Sequence, residues 1–398
     1  MFSFLKSKNQ RVYLDNAGAT AVSARAKRAL TDALEIYGNP SAIHAEGSSA
    51  SKLLQESRNM CAKILNAHSY EIYFTSSGTE SCNLAILGTY FGVDKISKPH
   101  IITSSIEHPA VLEPIRHLEK AGKIRVTYLP VGESGIVKLN DIREALSEDT
   151  ILVSVMYANN EIGTIQPVKE IGRAIEEWKK ENNRIHTDYP YFHTDACQTA
   201  NYCNLDAVRL RAHLMTVNSS KVYGPKGIAL LYKREGIKLH EINYGGGQER
   251  GLRSGTESVA LARSFAEALI EAQEIKEKES ARLIELRDFF FDKISKEIPD
   301  VTIYGDRKER LPNNINIRVP NIPSDEMILR LDAKGFAVSH KSACASAETG
   351  GSYVVQALGA TVNESLENVR ITLGRNTTKP DLEKLIIAIK EIKEKFAR

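Results

Sequence analysis

The chain has 398 residues, 42% of them hydrophobic, so it can bury a large core, and its length suggests about two or three domains. Its 53 Lys and Arg against 50 Asp and Glu give a formal net charge of +3, which is too balanced to indicate nucleic acid or a membrane surface as a partner. The five cysteines show no zinc-site or disulfide spacing, and no apolar run approaches membrane-spanning length, so we expect a cytoplasmic globular protein with no metal site.

The first part of the chain alternates predicted strands and helices. A strand near residue 12 is followed by helices near 23–36 and 47–66 and by a strand at 71–75. That strand ends in Ser76–Glu80, which opens a helix from Ser81 to Phe91. A strand, glycine loop and helix start of this kind can bind a phosphate through free backbone N–H groups and the helix dipole. A plain strand-to-helix turn with a serine cap is the alternative.

The alternation continues with strands near 101–103, 124–129, 151–155, 191–194 and 214–217, separated by helices from Pro109, near 139–147 and from Pro167 to about Glu181. This order predicts an α/β domain with a mostly parallel sheet, and such sheets bind ligands at the carboxyl ends of their strands. The candidate site residues are therefore the polar residues at those ends: Thr79, His108, Asn159, Asp195, Gln198 and Lys221.

Lys221 follows the buried strand Leu214–Val217 and precedes a Tyr-Gly-Pro break, which predicts a loop position. A partly desolvated lysine there can lose its proton near neutral pH and act as an amine nucleophile toward an aldehyde. The alternative is a solvated surface lysine, because most lysines lie in water.

The second part of the chain predicts a smaller α+β domain. The loop Gly245–Thr256 lacks the Gly-Lys-Ser/Thr ending of a nucleotide-binding loop, so nucleotide binding is disfavoured. A long charged helix near 258–298 precedes strands near 314–319, 336–339 and 370–373 and helices near 324–334, 350–358 and 380–396. We expect a large domain at 16–258 and a small domain formed by 1–15 and 259–398.

The ordered set of motifs resembles the cysteine desulfurases, type I pyridoxal-phosphate enzymes of the class V aminotransferase group. The resemblance covers nearly the whole chain, and each motif is weak while the ordered set is highly specific. The segments that carry it are Tyr13–Ala17, Gly38–Ser41, Thr75–Ser81, Glu107–Pro114, Asn159–Gly163, His193–Gln198, Lys221–Gly227, Gly246–Thr256 and Ser342–Ser346.

The resemblance implies a type I pyridoxal-phosphate transferase fold and assigns a role around the cofactor to four residues. Lys221 would hold the aldehyde of pyridoxal 5′-phosphate as a Schiff base and later move the Cα proton of the substrate. Asp195 would pair with the pyridinium nitrogen, and Gln198 would reach the ring hydroxyl. His108 would stack on the ring and serve in proton transfer, whereas a satisfied histidine at a helix start is its alternative.

The resemblance also implies residues for the phosphate, the substrate and a second subunit. Gly78 and Thr79 would bind the phosphate. Asn159 would contact cofactor and substrate, and Arg370 would grip the substrate carboxylate through two hydrogen bonds. Thr256 would reach the phosphate in the neighbouring subunit's site, which implies an obligate homodimer.

Two catalytic segments depart from the family pattern. The usual Ser-x-His-Lys reads Asn218 to Lys221 here, so Asn218 and Ser220 replace residues that help to hold the phosphate. Both can still form hydrogen bonds, but the imidazole is lost, and we expect weaker cofactor retention. The second departure is Lys341, which stands where glycine is usual in the loop before Cys344.

Cys344 lies in a polar stretch rich in small residues, and His340 and Lys341 could favour its thiolate. A lone cysteine is more often a small buried hydrophobe. By resemblance, Cys344 would attack the sulfur of cofactor-bound L-cysteine, leaving a persulfide on the enzyme and releasing L-alanine. The sulfur would pass to an acceptor protein in iron–sulfur cluster assembly or thio-modification.

Two other hypotheses stay open. The first is a selenocysteine lyase or another class V lyase or aminotransferase. The second is a catalytically degenerate homologue that acts as a binding partner, weakened at Asn218, Ser220 and Lys341. The joint presence of Lys221 and Cys344 with the remaining site residues argues against degeneracy.

Overall fold

A computed structural model describes residues 11–94, 96–340 and 350–396. The strands are β1 (Val12–Tyr13), β2 (Ile72–Thr75), β3 (His100–Ser104), β4 (Arg125–Leu129), β5 (Thr150–Ser154), β6 (Tyr191–Asp195), β7 (Leu214–Asn218), β8 (Ala229–Lys233), β9 (Thr302–Ile303), β10 (Asn314–Arg318), β11 (Phe336–Ala337) and β12 (Asn368–Thr372). The helices are α1 (Ala24–Leu34), α2 (Ala45–Ile64), α3 (Gly78–Phe91), α4 (Pro109–Lys120), α5 (Leu139–Ala145), α6 (Val168–Glu181), α7 (Val259–Glu297), α8 (Ser324–Ala333), α9 (Tyr353–Ala357), α10 (Val362–Ser365) and α11 (Lys379–Phe396). Short 3₁₀ helices cover Ser69–Glu71, Ser219–Lys221 and Glu249–Gly251.

A seven-stranded sheet in the order β2-β8-β7-β6-β5-β3-β4 forms the centre of the larger unit. The strands from β7 to β4 pair in parallel, and β8 runs antiparallel to both β7 and β2. Strand β8 shows why the sheet is buried on both faces: Leu230 and Tyr232 pack into one core, and Leu231 packs into the other. The predicted α/β class with a mostly parallel sheet is confirmed.

The strand directions bring several loops to one edge of this sheet. The carboxyl ends of β3, β5, β6 and β7 meet at that edge because these strands are parallel. Strand β2 points the same way, since it is antiparallel to β8, which is itself antiparallel to β7. Helix α3 therefore begins at the same edge, beside the ends of β6 and β7.

A second core lies under a three-stranded antiparallel sheet in the order β12-β10-β9. Ile315 and Ile317 of β10 face this core with Ile371 of β12. The opposite face is polar and turns toward the larger unit, where Asn314 and Asn316 donate side-chain N–H groups to a backbone carbonyl of the loop that follows β5. Because successive side chains of β10 point to opposite faces of the sheet, its isoleucines lie in the core and its asparagines contact the loop after β5.

Helix α7 has 39 residues and contributes to both cores. Its first part, from Val259 to Ala272, packs with the larger core, and its second part, from Leu283 to Ile294, packs with the smaller one. At the other end of the chain, β1 pairs in parallel with β11, so the N-terminal strand joins the smaller unit. The boundaries proposed at residues 15 and 258 stay predictions.

Local geometry differs from the sequence prediction at two functional positions. Helix α3 begins at Gly78 rather than Ser81, because the Ser77 hydroxyl accepts the N–H of Glu80 at 3.1 Å and the Glu80 carboxylate accepts the N–H of Ser76 at 2.6 Å. Lys221 ends a 3₁₀ helix rather than lying in an open loop. Its turn is capped by the side-chain oxygen of Asn218.

Within the described ranges, no helix combines the length and hydrophobicity that spanning a membrane requires. In the same part of the chain, no group of three or more His, Cys, Asp or Glu side chains is arranged to hold a metal ion.

Candidate active site

A cavity of about 160 Å³ lies at the carboxyl edge of the main sheet, against β12. Eight of the residues predicted from the sequence line it: Gly78, Thr79, His108, Asp195, Gln198, Asn218, Lys221 and Arg370. Its remaining lining residues are Ala17, Gly18, Ala110, Met156, Ala158, Asn160 and Cys197. Residues far apart in the chain therefore meet at one concave site.

The Lys221 side chain is held at the end of its 3₁₀ turn by backbone carbonyls. Its Nζ donates to the oxygen of Ala17 at 2.8 Å and also to the oxygen of Gly18. Burial lowers the pKa of Lys221, and the positive charge of Arg370 lowers it further. The structure thus favours a neutral amine at lower pH than an exposed lysine would allow.

Asp195 ends β6 with a carboxylate that is fixed by two neighbours. It accepts the N–H of Cys197 at 2.9 Å and lies 3.7 Å from Sγ of Cys82, which donates to it. Burial raises the pKa of both thiols well above the usual value, so they stay protonated near neutral pH. Gln198 follows Asp195 by three residues in the chain, and its Nε2 donates to the oxygen of Ala17 at 3.0 Å.

His108 caps the N-terminus of α4. Its Nδ1 accepts the N–H of Ala110 at 3.1 Å, which places the proton of the neutral ring on Nε2. Burial lowers the pKa of His108. The ring is therefore a neutral group at the cavity wall that can give or take a proton at one nitrogen.

At the N-terminus of α3, Gly78 packs tightly against Cys197 and Asn218 at one end of the cavity. A Cβ at this position would lie 3.2 Å from Sγ of Cys197 and 3.3 Å from Nδ2 of Asn218. Backbone N–H groups of the first helical turn have no partner inside the helix, and the helix dipole favours an anion there. With Thr79 in the same turn, this end of the cavity suits a phosphate.

Arg370 closes the cavity from β12 and is only 1% exposed. Its Nη2 donates to Oδ1 of Asp15 at 2.7 Å, and its Nη1 donates to the backbone oxygen of Asn160 at 3.2 Å. The buried guanidinium is therefore paired with a carboxylate from the N-terminal segment.

Asn159 is a predicted ligand-contacting residue that the structure does not bring to the cavity wall. Its Nδ2 donates to the oxygen of Ile106 at 2.8 Å, and its Oδ1 accepts the N–H groups of Glu161 and Ile162 at 2.8 and 3.0 Å. The amide is thus used to shape the loop after β5. That loop presents the next residue, Asn160, to the cavity.

Two other predicted residues, Ser220 and Thr256, do not line the cavity. Ser220 is half-buried and donates its N–H and hydroxyl to Oδ1 of Asn218 at 3.2 and 3.4 Å, outside the cavity lining. Thr256 is exposed, and its predicted contact belongs to a neighbouring subunit. Cys344 falls in 341–349, outside the described residues, together with Lys341.

Sequence reasoning missed several residues of the site. Ala17 and Gly18 supply the carbonyls that hold Lys221, and Asp15 pairs with Arg370. The resemblance includes the motif Tyr13–Ala17 but implies no role for any of its side chains. A carboxylate followed by small residues was the available signal, but only the fold shows that this turn faces β7 and β12.

Glu107 is a buried carboxyl group beside His108 that was also given no role. It accepts the Ser104 hydroxyl at 2.6 Å and the N–H of Met156 at 2.8 Å. Burial raises the pKa of Glu107 to about 8. The group therefore stays largely protonated at neutral pH and ties the loop after β3 to the loop after β5.

Comparison with known proteins identifies the family. The family model described as aminotransferase class-V matches residues 12–385. Cysteine desulfurase IscS of Dictyoglomus turgidum is 42% identical over 388 residues, which cover 97% of this chain and 95% of that protein. Cysteine desulfurase IscS of Clostridium botulinum is 38% identical over 387 residues, with coverage of 96% and 94%.

A solved structure titled as a NifS-like protein superposes with a TM-score of 0.88 at 33% identity and covers 97% of this chain and 100% of its own. The predicted fold is confirmed by this similarity. The chain belongs to the aminotransferase class-V family and, within it, to the cysteine desulfurases.

Proposed function

We propose that the protein is a pyridoxal-phosphate-dependent cysteine desulfurase, which converts L-cysteine to L-alanine and transfers the sulfur to its own Cys344. The observation that carries this proposal is the meeting of Lys221, Asp195, His108 and Arg370 around one cavity. A nucleophilic amine, a fixed carboxylate, a neutral imidazole and a carboxylate-binding arginine are what this reaction requires.

Pyridoxal phosphate fits the groups around the cavity. The N-terminus of α3 at Gly78 and Thr79 would hold the phosphate, with the amide of Asn218 beside it. Asp195 would face the ring nitrogen, and Lys221 would bind the aldehyde carbon. The bound cofactor supplies an electron sink that weakens bonds at the Cα of the amino acid.

The residues of the chain then act on the substrate in defined ways. Arg370 binds the α-carboxylate and so orients the amino acid. Lys221 takes and returns the Cα proton at Nζ, and burial, which lowers its pKa, favours the neutral amine that can accept this proton. His108 would pack on the ring of the bound cofactor and would give or take a proton at Nε2, since its Nδ1 accepts the N–H of Ala110.

Cys344 supplies the sulfur acceptor in this proposal. Its thiolate attacks the substrate sulfur and forms an S–S bond as the Cβ–S bond breaks. The electron pair of that bond stays with the carbon fragment, which takes up a proton and leaves as L-alanine. L-cysteine and a thiol thus yield L-alanine and a persulfide. Cys344 lies outside the described residues, and His340, the last described residue before it, is near β12, because its backbone oxygen accepts the side-chain N–H of Asn368 at 3.3 Å.

The proposal includes a homodimer, an acceptor protein and a cytoplasmic location. Large apolar side chains on the surface support self-association, because Tyr37 is 83% exposed and Tyr244 is 79% exposed. Thr256 is exposed and available to a second subunit. The persulfide would supply iron–sulfur cluster assembly or thio-modification, and the composition supports a reducing compartment.

The test is formation of L-alanine from L-cysteine by purified protein supplied with pyridoxal phosphate and a thiol reductant. We expect alanine at a rate well above that of Lys221→Ala, together with the visible absorption of bound cofactor. Cofactor absorption without alanine would contradict the proposed activity and favour another class V reaction, which competition with selenocysteine would probe. Absence of both would favour a non-catalytic homologue.

A further inference from the structure

The surroundings of Arg370 contain a carboxylate that the proposed reaction does not use. Asp15 binds the guanidinium through a single oxygen, Oδ1, at a single nitrogen, Nη2. Nη1 is bonded to a backbone oxygen, and Nε is buried without a hydrogen-bond partner among the described residues. Among the described residues, Arg370 therefore has one acidic partner and one donor, Nε, without a hydrogen bond.

Backbone pairing places Asp15 beside Arg370. Asp15 forms an isolated bridge with Thr372, two residues beyond Arg370 on β12. The N–H of Thr372 donates to the oxygen of Leu14 at 2.7 Å, and the hydroxyl of Thr372 accepts the N–H of Ala17 at 2.9 Å. The contact between Asp15 and Arg370 is thus part of the fold of the N-terminal segment rather than a chance meeting of surface side chains.

The same segment also contacts Lys221. A Cβ at Gly18 would overlap the carboxylate of Asp15, so this carboxylate packs directly on the glycine. The oxygen of Gly18 accepts a hydrogen bond from Nζ of Lys221. Asp15 therefore pairs with Arg370 and packs on the glycine whose oxygen holds Lys221, and its 25% exposure leaves it a path to water.

We propose that Asp15 is a positioning residue that holds Arg370 in the cavity wall and yields it to the α-carboxylate of an amino-acid ligand. The inference rests on the proposed function, in which Arg370 binds that carboxylate. A buried guanidinium without an anion is costly, and Asp15 supplies one. A ligand carboxylate can engage two donors, including Nε, whereas Asp15 engages one, so the exchange favours the ligand.

This arrangement selects for ligands that carry a carboxylate. Such a ligand replaces the contact that Asp15 gives up, and the released Asp15 carboxylate turns toward water. An amine without a carboxylate has no anionic group that could replace Asp15 as the partner of Arg370. The affinity for amino acids therefore depends on the difference in free energy between two contacts of Arg370, the one with Asp15 and the one with the ligand carboxylate.

The experiment uses the cofactor-loaded protein and Asp15→Asn, which keeps the size of the side chain and removes its charge. We expect the Kd of L-alanine, followed by the change in cofactor absorbance, and the KM of L-cysteine to fall about fivefold, as expected when one competing hydrogen bond to a charged group is weakened. kcat should change by less than about twofold, because Asp15 acts on binding. Binding of cysteamine, which lacks the carboxylate, should not change.

A purely structural role for Asp15 predicts the opposite change in the Kd of L-alanine. If Asp15 only braces Arg370, Asp15→Asn raises the Kd of L-alanine, and that result, or an unchanged Kd, overturns the proposal. The matched control is Asp292→Asn, which removes one exposed carboxylate from α7. Thermal unfolding and cofactor content of each variant confirm that folded protein is compared.

Arg370→Gln separates this proposal from the proposed function. The variant should raise the Kd of L-alanine at least about tenfold, because the two hydrogen bonds from the guanidinium to the ligand carboxylate are lost. The Kd of cysteamine should not change. If L-alanine binding is unaffected, the carboxylate-binding role of Arg370 fails, and the proposal for Asp15 fails with it. If Arg370→Gln weakens binding while Asp15→Asn does not tighten it, only the role of Asp15 is overturned.

Discussion

Nζ of Lys221 donates a hydrogen bond to the backbone oxygen of Ala17 at 2.8 Å, across about two hundred residues of chain. This contact joins the turn after β7 to the turn after β1. It keeps the lysine inside the protein, where burial lowers its pKa. The amine is thus prepared for proton transfer by the fold rather than by a neighbouring base.

The first prediction concerns this lysine. Lys221→Ala should lower kcat for L-cysteine by at least about 10³-fold, because both the covalent anchor and the proton carrier are lost. Alanine formation and cofactor absorption measure the effect. Lys226→Ala is the matched control, since Lys226 is exposed in the same segment, and its activity should be near that of the unmodified protein. Comparable losses in both variants would contradict the role of Lys221.

The second prediction concerns Cys344. Cys344→Ala should abolish turnover of L-cysteine while the cofactor stays bound, because only the sulfur acceptor is removed. Protein-bound persulfide and alanine are the two readouts. Cys203→Ala, at a half-buried position away from the cavity lining, should retain both. Retained turnover in Cys344→Ala would refute the assignment.

The third prediction concerns the phosphate end of the cavity. Gly78→Ala should weaken retention of pyridoxal phosphate about tenfold, since the added Cβ would lie 3.2 Å from Sγ of Cys197 and close to Asn218. The cofactor dissociation constant measures this. Adding Cys197→Ala should recover part of the loss by making room. Unaltered retention in Gly78→Ala would show that this turn does not hold the phosphate.

The fourth prediction tests the departure from the family motif. Ser220→His should tighten cofactor binding about threefold, because an imidazole can add a hydrogen bond or a positive charge near the phosphate. In the structure, Ser220 donates its N–H and its hydroxyl to Oδ1 of Asn218. Equilibrium dialysis against pyridoxal phosphate gives the affinity, with Ser219→Ala as the neighbouring control. An unchanged or weaker affinity would count against the idea.

The fifth prediction is a pH dependence of stability caused by Glu107. Its pKa is raised from 4.5 to about 8 by burial, so between these values the folded state binds more protons than the unfolded state. Stability should therefore fall as pH rises from about 5 to 8, by at most about 1.4 kcal/mol per pH unit. Below this pH range Glu107 is protonated in both the folded and the unfolded state, so it causes no pH dependence. Above this range Glu107 is ionised in both states, and the free-energy cost of burying its charge in the folded state no longer changes with pH.

Glu107→Gln should flatten this slope, because glutamine cannot ionise. Urea unfolding at several pH values and fixed protein concentration measures it. Glu113→Gln is the control, since Glu113 lies exposed on α4 and its removal should leave the slope unchanged. Equal slopes in the parent and Glu107→Gln would show that Glu107 does not control the dependence.

Much of the fold and part of the site could be predicted from local patterns. The apolar residues near 151–155 predicted the strand β5, and the Ser-Ser-Gly turn after β2 predicted a helix start suited to an anion. Lys221 and Asp195 were recognised because each follows a strand whose carboxyl end faces the ligand edge. These features depend on neighbouring residues, so the chain displays them locally.

Other features follow from packing between distant segments. No local pattern indicates that Asp15 meets Arg370, because the contact requires β1, β11 and β12 to assemble first. The resemblance predicts that Asn159 contacts the ligand; in the structure its amide forms hydrogen bonds within its own loop and to the loop after β3, and Asn160 lines the cavity.

By itself, the sequence determined the α/β class, the order of the elements and most of the residues of the site, because periodicity, turn residues and ordered motifs are written along the chain. Only the tertiary structure decided which side chains face the cavity, which pair with each other and which are desolvated. The reason is physical: burial, ion pairing and pKa depend on neighbours in space, and folding chooses those neighbours from remote parts of the chain.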